Sequence, residues 1–180
     1  MRRLEIDLTE LELAFDKGTM AAAWFLDLES GAVIMITDEE QVQLEEILED
    51  LNSQADDRSA TLTEACAEHA LAESHEHHLL QAFQVQKGLG SRYISVPTDE
   101  SRDSYRDMEG FVGTVANEEI AEHLSYAIEG RGAFRRFKGV LARHEDERDR
   151  WFAFKSTRLR ERILNWLLAL DIEPISEERR

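Results

Sequence analysis

Nine consecutive residues, Gly130-Arg131-Gly132-Ala133-Phe134-Arg135-Arg136-Phe137-Lys138, hold two glycines, four basic side chains and two phenylalanines. Glycine lets a backbone turn tightly and approach a ligand closely. A helix that opens after Gly132 would offer unpaired N–H groups and a partial positive charge. Arg131, Arg135, Arg136 and Lys138 add charge-assisted contacts suited to phosphate or carboxylate. These types at this spacing describe an anion site. They also describe a helix junction: Gly130 ends one helix, Gly132 admits the next, the phenylalanines enter the core and the arginines pair with acidic helices. No strand precedes the motif, so it is neither a P-loop nor a dinucleotide fingerprint.

Three further groups carry chemistry. His69, Glu73 and His77 follow an i, i+4, i+8 spacing, which places them on one helix face, with Cys66 three residues before His69. Imidazole, carboxylate and thiolate suit Zn²⁺ or a similar ion. Three ligands spread over two turns do not easily reach one ion, although two adjacent ones do; a solvated polar helix is the plainer reading. Trp151, Phe152 and Phe154 lie beside Arg150 and Lys155, where aromatic rings stack on a base or sugar, or, more ordinarily, fill a core. The acidic face of residues 38–50 lacks the EF-hand pattern. No nucleophile elbow, kinase set or paired-carboxylate motif is present.

The totals limit the partners. The 180 residues carry 21 Lys and Arg against 38 Asp and Glu, a formal charge of -17. Such a field repels phosphate backbones, so nucleic acid is not the expected partner. Yet residues 131–162 hold 11 basic against 5 acidic side chains, a local reversal. The longest apolar run, Met20 to Leu26, is far short of the roughly 18 residues that span a bilayer. Met1-Arg2-Arg3 leads to Glu5 and Asp7 rather than to an apolar signal core. A single cysteine, Cys66, excludes an internal disulfide framework. A cytoplasmic protein with no membrane association and no cofactor is the expectation.

The elements that must position these groups follow from periodicity. Leu4, Ile6 and Leu8 alternate as a short strand or extended lead-in, and Asp7 with Glu10 has capping-box spacing before a helix to about Asp16. Trp24–Leu28 and Ala32–Ile36 flank Glu29-Ser30-Gly31, a β-hairpin. Thr37 and Glu40 repeat the capping box, and Leu44, Ile47, Leu48 and Leu51 stripe the helix behind it. A second helix is expected from about Thr61 to Gln86. Arg92–Pro97 reads as a strand that extends the hairpin. Tyr105, Met108, Val112 and Val115, then Asn117-capped Ile120, Leu124 and Ile128, then Phe134, Phe137 and Leu141, mark three helices. Leu159, Ile163, Trp166, Leu167 and Leu170 give the strongest helical period, and Pro174 is expected to end it. The sum is an α+β domain over residues 1–175: a small antiparallel sheet of an N-terminal hairpin plus one later strand, packed on a mainly helical C-terminal half. A helical insertion at about 53–90 and a charged tail at 176–180 complete it.

Several stretches together resemble the bacterial uncharacterised protein family UPF0158. They are Phe25–Val33, Arg92–Pro97, Tyr105–Val112, the nine-residue Gly130–Lys138 motif, Trp151–Phe154 and Ile163–Leu167. The likeness covers most of the chain, and the glycine-arginine motif is its most specific part. Residues from about 53 to 90 look longer than the family's link between the first long helix and the Arg-Tyr-Ile strand. The resemblance implies the α+β fold and the cytoplasmic setting, and transfers no catalytic residues.

Two function classes stand. The first is a non-enzymatic binding or regulatory module that takes a protein partner or a small anionic ligand near Gly130–Lys138, with Tyr105, Trp151 and Phe154 nearby; a homo-oligomer is left open. The second is a metal-dependent hydrolase that uses His69, Glu73 and His77.

Overall fold

The computed structural model describes residues 1–16, 21–50, 73–98 and 101–175. Among them are seven helices and five strands, an α+β fold with a helical C-terminal half. They form two compact units, residues 1–97 with 171–180, and residues 98–170.

The first unit is built on the hairpin. Strand β1 (Arg2–Glu5) leads to α1 (Leu8–Phe15), whose N-cap Asp7 accepts from the Thr9 and Glu10 N–H groups. Strands β2 (Ala22–Asp27) and β3 (Val33–Thr37) pair antiparallel, with Phe25 opposite Ile34 and Leu26 opposite Val33. Gly31 makes the turn at φ 81°, and a Cβ there would lie 2.2 Å from the Glu5 carbonyl oxygen. Only glycine fits so close an approach in the left-handed region. Thr37 and Glu40 form the reciprocal capping box: the Thr37 N–H donates to Glu40 Oε2 at 2.8 Å and the Glu40 N–H to Thr37 Oγ1 at 3.2 Å. That opens α2 (Asp38–Asp50).

Helix α3 (Glu73–Gly88) follows, then β4 (Tyr93–Ser95), which pairs antiparallel with β2 to give the order β3-β2-β4. Three consecutive residues of β2, Phe25, Leu26 and Asp27, are buried, as a central strand covered on both faces requires. Phe25, Ile34 and Ile36 of the sheet join Leu44 and Ile47 of α2 and Leu79, Ala82 and Phe83 of α3 in one core. Helix α3 therefore supplies core as well as connection. His78 Nδ1 reaches Glu40 at 3.0 Å and His75 Nε2 reaches Gln43, both tying α3 to α2.

The sequence reading did not anticipate the last strand. Asp171, at φ 58°, ends the final helix, and β5 (Ile172–Ile175) pairs parallel with β1. Pro174 sits inside β5 opposite Leu4, where a two-stranded ribbon tolerates its missing N–H.

The second unit is helical. Helices α4 (Ser101–Val112), α5 (Glu118–Ile128), α6 (Ala133–Leu141) and α7 (Glu145–Ala169) make it up. Asn117 caps α5, accepting from the Ile120 N–H at 3.1 Å. The core joins Met108 and Phe111 of α4, Leu124 of α5, Ala133 and Phe137 of α6, and Trp151 of α7. Its aromatic rings meet edge to face: Phe137 and Trp151 centroids are 4.9 Å apart at 72°, and Phe111 and Trp151 5.3 Å apart at 70°. Such pairs add about 0.5–1.5 kcal/mol each beyond the area they bury. Among the described residues no helix is long and apolar enough to cross a membrane.

Candidate functional site

The glycine-arginine motif resolves into a helix corner. Gly130 (φ 69°) follows the end of α5, and Gly132 (φ 85°) is the N-cap of α6, with no side-chain capping bond. Ala133 and Phe137 turn into the core. Arg136, on the next turn of α6, reaches back to the end of α5. Its Nε donates to the Ala127 carbonyl at 3.1 Å, one terminal nitrogen to the Arg131 carbonyl at 2.6 Å, and the other to the Glu129 carbonyl. Tyr105 donates its hydroxyl to the Ile128 carbonyl at 3.1 Å. A helix leaves its last carbonyls without intrahelical partners and carries partial negative charge there. Arg136 and Tyr105 answer both needs. A Cβ on Gly132 would sit 3.3 Å from Arg136 Nη1, so the missing side chain gives the guanidinium its passage.

Eight more side chains of the basic segment fall into two groups. Arg162 places Nη1 at 3.0 Å from both carboxylate oxygens of Asp107, which is 1% exposed, and Arg158 Nε lies 3.5 Å from the same group. Arg148 pairs with Glu145; Arg150 pairs with Glu147 and donates to the Thr114 carbonyl. These cations hold the fold. The side chains of Arg131, Arg135, Lys138 and Arg143 have no hydrogen-bond or ion-pair partner among the described residues, and all are exposed.

A cleft of about 460 Å³ opens between α5 and α6. Helix α5 lines it with His123, Tyr126 and Ala127; α6 contributes Arg136, Gly139 and Val140; the turn into α7 adds Arg143 and His144. His144 occupies the N-cap of α7 yet makes no side-chain capping bond. In a chain with 38 Asp and Glu, no carboxylate lines this cleft. It combines two guanidinium groups, two imidazoles and a phenol around a small apolar floor. That set can hold an anion beside a ring.

Of the nine residues singled out around the motif, Arg136 alone lines this cleft. Arg135 and Lys138 do not line it. Trp151 is buried in the aromatic core. Phe154 stacks beside Trp151 at 22° and lines a separate cleft with Arg106, Thr157 and Arg158. His123, Tyr126, Arg143 and His144 escaped sequence reasoning, since nothing local links two histidines 21 positions apart. Of the metal group, His69 and the nearby Cys66 lie outside the described residues, as does the Glu73 side chain, while His77 is exposed on α3. Among the described residues no cluster of three or more His, Cys, Asp or Glu could hold a metal ion.

A second polar centre lies in the first unit. Asp27, 3% exposed, accepts from the Glu29 N–H at 2.9 Å and the Ser30 hydroxyl at 2.9 Å. Arg92 completes it with a two-pronged contact, Nε at 3.0 Å and Nη2 at 2.7 Å, while its Nη1 holds Glu29 at 2.9 Å. Burial alone would raise the Asp27 carboxyl; Arg92, the Glu29 N–H and Ser30 outweigh it and hold it at about 2, below the ordinary 3.8. Asp27 in turn raises the Arg92 guanidinium. Every acceptor is engaged, so this centre locks the hairpin turn to β4 and is not a ligand site.

A family model described as Uncharacterised protein family (UPF0158) matches residues 71–179. That span contains the helix corner, the α5–α6 cleft and Arg92. A UPF0158 protein of Pseudomonas aeruginosa is 25% identical over 179 residues, which cover 99% of this chain and 91% of that protein. No solved structure matches.

Proposed function

We propose that this chain, which belongs to the uncharacterised protein family UPF0158, is a cytoplasmic, non-enzymatic binding module whose α5–α6 cleft takes an anionic group. The group belongs to a small ligand or to a partner protein. The observation that carries this reading is the lining itself: Arg136, Arg143, His123 and His144 converge, with no carboxylate among the lining residues, in a chain of charge -17. Arg143 has no protein partner among the described residues and is exposed, so its guanidinium is free to meet an anion. Arg136 is held by three backbone carbonyls, so its charge is fixed in place before any ligand arrives. Arg131, Arg135 and Lys138 lie outside the cleft and add to the local field that draws an anion towards it. The helix corner is thus scaffold for a neighbouring site rather than the site.

The test is a titration of ¹⁵N-labelled protein with inorganic phosphate at low ionic strength. Resonance shifts should concentrate at His123, Tyr126, Gly139, Arg143 and His144, and should vanish in Arg143→Glu. Shifts that are spread over the whole surface, or that survive in Arg143→Glu, would overturn the reading.

A further inference from the structure

Gly139 is a residue for which packing gives no reason. It is exposed on α6, and a Cβ built on it would meet no atom within 4 Å. Every other described glycine either holds a positive φ or has a neighbour within 4 Å of where its Cβ would lie. Gly110, also helical, shows the contrast: a Cβ there would touch Phe154 Cζ at 3.4 Å. Glycine in an exposed helix weakens it relative to alanine, so α6 gives up stability at Gly139 with no packing return.

What Gly139 does is line the α5–α6 cleft. Its missing side chain leaves bare backbone on that wall. Across from it α5 supplies His123 and Tyr126, three positions apart and therefore on one face, with Tyr126 75% exposed. An exposed phenol and an imidazole bounding a wall with no Cβ suit a flat ring, because ring faces stack and a bare peptide lets a ring approach closely. Arg143, beyond the end of α6, supplies the charge for a group attached to that ring. The volume of about 460 Å³ is that of a small-molecule pocket.

We infer that the cleft binds a small molecule that joins a flat aromatic ring to a phosphate or carboxylate, and that Gly139 sets specificity for the ring. The inference rests on the anion-binding reading above and deepens it. The ring lies against Gly139 beside His123 and Tyr126; the anionic group meets Arg143. A nucleoside monophosphate and an aromatic carboxylate both carry this chemistry.

Calorimetric titrations of the full chain with AMP, benzoate and inorganic phosphate test it, in wild type, Gly139→Ala and Arg143→Gln. AMP or benzoate should bind at least about tenfold more tightly than phosphate, since ring stacking adds to the ionic contact. Whichever binds identifies the source of the ring. Gly139→Ala should weaken that ligand about tenfold and leave phosphate unchanged, while raising the thermal midpoint by about 2 °C. A variant that is more stable and binds less cannot be explained by misfolding. Equal affinity for phosphate and the ring-bearing ligands, or undiminished ring binding in Gly139→Ala, would overturn the inference; phosphate binding lost in Arg143→Gln would then still uphold the anion site. Absence of binding by every probe would overturn both.

Discussion

Asp27→Asn removes one charge from a centre in which the structure pairs every acceptor. The carboxyl is held at about 2 against an ordinary 3.8. At about 1.36 kcal/mol per pKa unit, the shift is worth about 2 kcal/mol of stability at neutral pH. The sign follows from the direction. A depressed carboxyl stabilises the folded chain above its unfolded value near 4, and the contribution fades as pH falls through about 2. At pH 3 the folded carboxyl is still mostly ionised and the unfolded one mostly protonated, so about half of the effect should persist. Asparagine keeps an acceptor for the Glu29 N–H but leaves Arg92 with only Glu29. Urea denaturation of wild type and Asp27→Asn, followed by tryptophan emission and far-ultraviolet circular dichroism, should give a gap of about 2 kcal/mol at pH 7 that halves at pH 3. Arg92→Gln should open a similar gap, and the double variant should cost less than the two singles summed, because they share one interaction. A gap below about 0.5 kcal/mol at pH 7, or one unchanged between pH 7 and pH 3, would refute the linkage between Asp27 ionisation and the hairpin lock.

Two other outcomes follow from the helical unit. Phe137→Ala empties the centre of the aromatic core and should cost about 3–5 kcal/mol in chemical denaturation, with loss of near-ultraviolet circular dichroism from Trp151. Arg136→Gln strips carbonyls at the end of α5 of their donors and should cost about 1–3 kcal/mol, with hydrogen exchange accelerated across residues 124–132 and little changed in α4.

What was legible in the sequence was local. The hairpin, the Thr37–Glu40 capping box, the Asp7 and Asn117 caps and most of the apolar stripes depend on residues within a few positions of one another, and they appear as read; Phe134, expected in the core beside Phe137, is instead 42% exposed, because Ala133 and Phe137 take the inner face of α6. The parallel pairing of β1 with β5 depends on residues some 170 positions apart, and its sequence trace is four residues that contain a proline. Arg135 and Arg136 are the same residue type side by side. Only the phase of α6, set by Ala133 and Phe137 entering the core, decides that Arg136 faces α5 while Arg135 turns to solvent. Asp27 looks like the polar end of a strand; its partner Arg92 lies 65 positions on. The cleft required α6 to fold back on α5, which brings His123 and His144 to one concavity, and no short motif records that event.

The parallel strand pair has a further consequence, for the order in which the chain can fold during synthesis. Strands β1 and β5 belong to one unit, yet residues 98–170 lie between them and form the other. A ribosome releases the four helices of the second unit as an unbroken stretch, so their core can assemble as soon as α7 emerges. The first unit must keep β1 unpaired until residues 172–175 are free, many seconds after Arg2 appeared at the usual rate of about 5–20 residues per second. During that interval the edge of β1 is an open template for pairing with other chains. Arg2, Arg3 and Glu5 lie along it, a charged strand that discourages such encounters while its partner is still being made.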